Sequence, residues 1–215
     1  QVRAAVEAAG EPGGGDPFAG LQVLELAEHH GFGFAVRRAL EEVRTSYFMI
    51  VQHDQEFVRP FNLPAVVEAM RRHQGQIRYV GLCGVTTLDY NHMVLSKYGL
   101  RISRTLEFGV PLMPLLFFYD KPHICSTEYY RDVVLGPSSL VKRGEFIEET
   151  VGQAQRSDIL QNGMAAHGKY GTYQLDMRNE ADEPLVVVRH VNGRSFWSPE
   201  QRVARGWPAY TSFWV

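Results

Sequence analysis

The chain has 215 residues, a formal net charge of -2, 45% hydrophobic and 21% charged residues, which suits one domain with a continuous core and no disulfide staples. That balance leaves no electrostatic footprint for nucleic acid or an anionic membrane surface, because the basic residues are scattered apart from pairs such as Arg37-Arg38 and Arg71-Arg72. No apolar run reaches the ~20 residues of a membrane helix, and Cys83 and Cys125, with no CxxC pair, read as two buried thiols rather than a disulfide framework or a zinc site.

Taken as one domain, the chain divides into a helix with a glycine-rich loop (1–20), a core (21–193) and a C-terminal tail (194–215). Val2 to Ala9 is alanine-rich and predicts a helix, ended by Gly10-Glu11-Pro12-Gly13-Gly14-Gly15-Asp16-Pro17. The first residue is Gln1 rather than methionine and no leader pattern follows, as in a processed or trimmed piece. Leu21 to Ala27 alternates as a strand. Gly31-Phe32-Gly33 opens a helix to about Arg44, with Phe34, Val36, Ala39, Leu40 and Val43 near helical spacing. Tyr47 to Val51 is a continuous apolar run, the pattern of a buried strand in a parallel sheet. Leu63 to His73 predicts a helix with Pro64 in its first turn, and Ile77 to Cys83 the next strand.

The alternation of strand and helix argues for an α/β sheet with right-handed crossovers. Further on, Val110 to Tyr119 reads as a buried segment containing a strand from Leu112 to Phe118. Ser126 caps a helix through Leu135, and another helix includes Phe146 to Gln155. Gly171 to Leu175 and Leu185 to His190 are the last two strands, joined by the polar turn Arg178 to Glu183.

Ligands of open parallel sheets bind beyond the carboxyl ends of the strands. Asp54 lies there, just after Tyr47 to Val51, with Glu56 two residues on, and a carboxylate at a rigid strand end can hold a hard divalent cation. A plain surface turn also favours aspartate there. The segment Ser46-Tyr47-Phe48-Met49-Ile50-Val51-Gln52-His53-Asp54-Gln55-Glu56-Phe57 resembles the DxD region of family 2 glycosyltransferases. His30-Gly31-Phe32-Gly33-Phe34-Ala35-Val36-Arg37-Arg38-Ala39-Leu40 is similar to the stretch that opens that family's preceding helix. The resemblance spans about Leu21 to Gly193.

It implies a GT-A, Rossmann-like α/β fold with a mixed, mostly parallel sheet flanked by helices. It also implies inverting transfer of a sugar from a nucleotide-diphosphate donor to a hydroxyl of a glycan, protein or small-molecule acceptor, assisted by Mn2+ or Mg2+. Gln52 stands where the first acid of the triplet belongs and is expected to contact the donor by accepting a hydrogen bond from ribose or ligating weakly through its carbonyl, leaving Asp54 as the metal and donor residue. Gly144-Glu145-Phe146-Ile147-Glu148-Glu149-Thr150 resembles the family's later acidic motif. There Glu149 takes the place of the general base and Glu148 that of an acceptor contact or competing base. An exposed acidic helix turn is the plainer alternative.

A late histidine completes the metal site in many such enzymes, with His190 the first choice and His167 the second. Arg194 and Lys169 are candidates to face the diphosphate, and Asp120 and His123, after the apolar strand, to line the acceptor pocket. Trp197 and Trp207 suit sugar stacking or simple packing. The family's first strand has no counterpart before Leu21, so either residues upstream of Gln1 supply it or Gln1 to Phe18 substitutes for it. Gln52 also fits a degenerate, non-catalytic binding or structural domain. Gly31-Phe32-Gly33 offers the GxG of a dinucleotide site, but Val36 occupies the third glycine's place. A Golgi or secretory lumen and the cytoplasm are both left open.

Overall fold

A computed structural model describes residues 21–191. The expected N-terminal helix and glycine loop, Arg194, Trp197 and Trp207 lie outside the described residues.

Residues 21–31 run without regular structure, so the strand expected from Leu21 to Ala27 does not form, and Leu21 and Val23 stay exposed. Alternation alone makes no strand where no neighbour offers a ladder. The first helix, α1, covers Phe32–Leu40 and stops short of Arg44. Its two glycines serve chain packing. Gly31 has a φ of 77°, and a Cβ on it would lie 2.5 Å from the Gly144 Cα, while one on Gly33 would lie 2.7 Å from Val141 Cγ1. The Gly144 amide donates to His30 O at 3.0 Å. The GxG stretch therefore abuts the backbone leading into the acidic segment, and the space a dinucleotide phosphate would need there is filled by the chain itself.

Strands β1 (Tyr47–Ile50) and β2 (Gln55–Phe57) flank the turn that holds Asp54. Helix α2 (Leu63–Arg72) has Asn62 as its N-cap, accepting from the Ala65 amide at 3.0 Å, with Pro64 in the first turn. Then come β3 (Tyr79–Leu82), a short 3-10 turn at Val85–Thr87, α3 (Tyr90–Tyr98), β4 (Leu112–Pro114) and β5 (His123–Ser126). Ser126 caps α4 (Thr127–Tyr129), which widens at once into a π-helical turn, Tyr130–Val134. A second π-helical turn, Glu148–Gly152, leads into α5 (Gln153–Asn162), and β6 (Thr172–Leu175) and β7 (Val188–His190) finish the described chain.

Among the described residues, one sheet has the order β1-β5-β3-β6-β4 and a second pairs β2 with β7. The protein is thus α/β with a mixed sheet and helices on both faces. The expected predominance of parallel pairing does not appear, since β3–β6 is parallel and β1–β5, β3–β5 and β4–β6 are antiparallel. The reason is β5, which lies in a segment that reads as a turn yet enters antiparallel between β1 and β3. β1 consequently sits at the sheet edge, with Met49 and Val51 exposed, rather than in the middle of a parallel array.

Strand alternation feeds two cores. Tyr79, Met113 and Cys125 join Leu40, Val94, Tyr130, Ile147 and Ile159 on one face, and Val80, Leu82, Leu112 and Ile124 join Val66, Ala69 and Met70 of α2 on the other. Burial on both faces explains why β3, at the centre of the sheet, is buried at all four of its positions. No helix among the described residues is long and apolar enough to cross a membrane.

Candidate functional site

The carboxyl ends of β1 and β3 converge with the start of β5. Ile50 is opposite His123, and the Leu82 amide donates to Pro122 O at 2.9 Å. β7 is hung on the same end, because Cys83 O accepts from both Val187 N and Val188 N, at 2.8 and 3.1 Å. The Asp54 turn, the Asp120-Lys121-Pro122 link, Cys83-Gly84 and the β2–β7 ribbon therefore share one end of the sheet.

Asp54 and His190 meet there. Gln55 N donates to Gln52 O at 3.1 Å to close the turn, Val191 N donates to Asp54 O at 2.7 Å, and Gln55 pairs with His190 across the ribbon. These bonds place His190 Nε2 3.0 Å from Asp54 Oδ2, both side chains partly exposed. At that distance the two side chains face each other as a hydrogen-bonded or ion pair, and among the described residues no group of three or more His, Cys, Asp or Glu gathers in ligand geometry. Glu56 takes no part, since Arg189 binds its Oε1 through Nε and Nη2 at 2.8 and 2.6 Å.

The second acidic cluster is tied in through reciprocal bonds. Glu148 N donates to Asp120 Oδ2 and Asp120 N donates to Glu148 Oε2, both at 3.2 Å. The π turn holding Glu148 is clamped by Gly152, where a Cβ would lie 2.6 Å from Phe118 O. Glu148 thus faces the sheet end and Glu149 faces solvent, reversing the expected order of the two. Burial, with the Glu148 and Glu149 charges adding to it against the amides of Glu148 and Ile147, pushes the Asp120 carboxyl up to about 7. Asp120 is 3% exposed and its Oδ1 is buried without a hydrogen-bond partner among the described residues.

Lys121, which the sequence reading passed over, lies in the same region. Its ammonium donates to Thr86 Oγ1, sits 4.8 Å from the centre of the Tyr119 ring and is lowered to about 8 by burial, opposed by the charges of Glu148 and Cys83. Its only signal in sequence is its place immediately before Pro122 at a strand start. Asp176, at the carboxyl end of β6, was also missed. It is buried and committed to Arg178 at 3.1 Å, with Arg104 at 4.0 Å.

Several expected residues lie elsewhere. His123 is fully buried, stacked against Tyr79 and Tyr130, with Nδ1 2.6 Å from Lys121 O. Burial lowers it to about 4, so it is a neutral core residue of β5 and lines no acceptor pocket. His167 is buried, with Nε2 2.7 Å from Thr172 O, and Lys169 pairs with Asp158 at 2.9 Å. Both precede the amino end of β6, opposite the end that carries Asp54, so neither serves the metal or diphosphate there.

A groove of about 730 Å³ lies at that opposite end, lined by Arg44, Tyr47, Arg78, Ser126 and Arg131 among others. Its arginines are engaged by the fold. Arg131 donates to Leu40 O and Val43 O, Arg78 donates to Lys169 O, and Arg44 donates to Glu41 O. The other end of the sheet carries carboxylates, an imidazole and the half-buried Lys121 amine, and chemistry is a better guide to a site than groove volume. No model of a known protein family, no curated protein and no solved structure matches the chain.

Proposed function

We propose that this protein is an inverting glycosyltransferase of GT-A type, acting on a nucleotide-diphosphate sugar, with Glu148 as its base. The observation that carries this reading is the meeting of two separate acidic segments at one sheet end: Asp54 with His190, and Asp120 with Glu148. Asp54 and His190 would hold Mn2+ or Mg2+, which when bound neutralises the charge that develops on the leaving diphosphate. Glu148 accepts the proton of the acceptor hydroxyl as its oxygen bonds to the anomeric carbon. The bond from that carbon to the diphosphate oxygen breaks, and its electron pair leaves with the nucleotide. Lys121, held over Tyr119, adds positive charge beside Glu148. The β2–β7 ribbon keeps Asp54 aligned through backbone bonds that do not depend on the nature of residue 52.

A non-catalytic domain of the same descent is the second reading, favoured by Gln52 in place of an acid. Slow hydrolysis of a panel of sugar nucleotides (UDP- and GDP-linked hexoses) with Mn2+ separates the two. Glu148→Gln should lower the rate by ~10²-fold or more and Glu149→Gln should leave it within a few-fold. Equal sensitivity to both substitutions would defeat the assignment of Glu148, and no turnover by the unsubstituted protein would favour the non-catalytic reading.

A further inference from the structure

Asp120 and Glu148 are bound to each other through backbone amides, not through a cation. Each carboxyl accepts the amide of the other residue at 3.2 Å, so each side chain is tied to the other's backbone. Around Asp120 stand Glu148 and Glu149 from the acidic turn and the phenols of Tyr79 from β3 and Tyr130 from the turn after α4, on which the neutral His123 of β5 stacks. None of these is positive. The nearby ammonium, Lys121, is coupled to Glu148 and Cys83 instead. Asp120 Oδ2 has its amide donor, but Oδ1 is buried and meets no hydrogen-bond partner among the described residues, which costs an ionised carboxylate more than a neutral carboxyl.

We propose that Asp120 is a positioning residue that keeps its proton near neutral pH and, through the reciprocal amide bonds, holds Glu148 at the sheet end. The use of Glu148 as acceptor of a substrate proton rests on the glycosyltransferase reading, whereas the proton on Asp120 does not. The Glu148 carboxyl is fixed by the bond it accepts from the Asp120 amide, and its backbone by the bond it donates to Asp120 Oδ2.

The test is a carboxyl-carbon NMR titration of the full chain, labelled at Asp and Glu, with Asp120→Asn and Glu148→Gln as companions and circular dichroism to confirm that each is folded. The unsubstituted protein should show one Asp carboxyl titrating near neutrality, far above the exposed aspartates. Asp120→Asn should abolish that step, and Glu148→Gln should shift it towards the acid range as the neighbouring charge is lost. A step that survives Asp120→Asn and vanishes in Glu148→Gln would put the proton on Glu148 and overturn the proposal, as would an Asp120 that ionises with the exposed aspartates. Because the titration needs no substrate, inactive protein showing the neutral step would keep the pair and sink only the glycosyltransferase reading.

Discussion

Glu148 and Glu149 are neighbours, and what turns one inward is the pair of contacts on either side of them: buried Ile147 before and Gly152, pressed on Phe118 O, after. Either could be read as the inward residue from sequence, because a helical period of 3.6 places both on the boundary of a face and a π turn alters that period. Gly31 is a second position fixed by contact. Gly31→Ala should cost about 2–4 kcal/mol, from a positive φ and overlap with Gly144, measured as a lowered urea midpoint. A buried hydroxyl gives the opposite expectation. Tyr130 Oη is enclosed without a hydrogen-bond partner among the described residues, so Tyr130→Phe should leave stability unchanged or raise it by up to ~1 kcal/mol. A loss of more than ~1 kcal/mol in the same melt would show that the hydroxyl is satisfied after all. Asp54 was legible because it follows an apolar strand, and His190 because it ends one. The bond between them was not, since it depends on a ribbon in which Gln55-Glu56-Phe57 forms a strand that a polar turn conceals.

At the scale of elements, α2 shows how much a local pattern can decide. Asn62, Pro64 and the apolar positions Val66, Ala69 and Met70 define its start and buried face, and the helix expected to His73 runs to Arg72 with His73 as its C-cap. Asn62→Ala should cost ~1 kcal/mol through loss of the bond to the Ala65 amide, seen as a lower melting temperature with no change in ligand binding. Other elements depend on distant partners. α1 ends at Leu40, where Arg131, far along the chain, takes up Leu40 O and Val43 O. No feature of residues 32–44 announces that cap. β5 was concealed by its content of His, Cys and Ser and by the turn-forming Asp120-Lys121-Pro122 before it. Missing it led to an expectation of mostly parallel pairing, because its insertion between β1 and β3 brings two antiparallel contacts.

For the whole molecule, two buried groups near the site give pH dependences of opposite sign. Asp120 is raised from 3.8 to about 7, so the folded state holds a proton the unfolded chain has lost. That contribution is fully present below pH ~4 and is lost as pH rises through ~7, by ~4 kcal/mol. His123 is lowered from 6.5 to about 4, so the unfolded chain takes up a proton first. Its contribution, ~3 kcal/mol, is present above pH ~6.5 and is lost as pH falls through ~4. The two largely offset each other between pH 4 and 6.5. Asp120→Asn should expose the histidine alone, and urea unfolding across that window should then show stability climbing with pH more steeply than in the unsubstituted protein; equal slopes would refute the buried neutral Asp120.

The proposed transfer requires a cation and a nucleotide diphosphate to bind together at the Asp54–His190 pair. Calorimetric titration of UDP and GDP into the protein, with Mn2+ and then with a chelator, measures this directly. One of the two should bind only with Mn2+, and Asp54→Ala and His190→Ala should each weaken it by more than the ~10-fold typical of losing an outer-sphere partner. Binding indifferent to Mn2+ and to both substitutions, or no binding of either nucleotide, would contradict it.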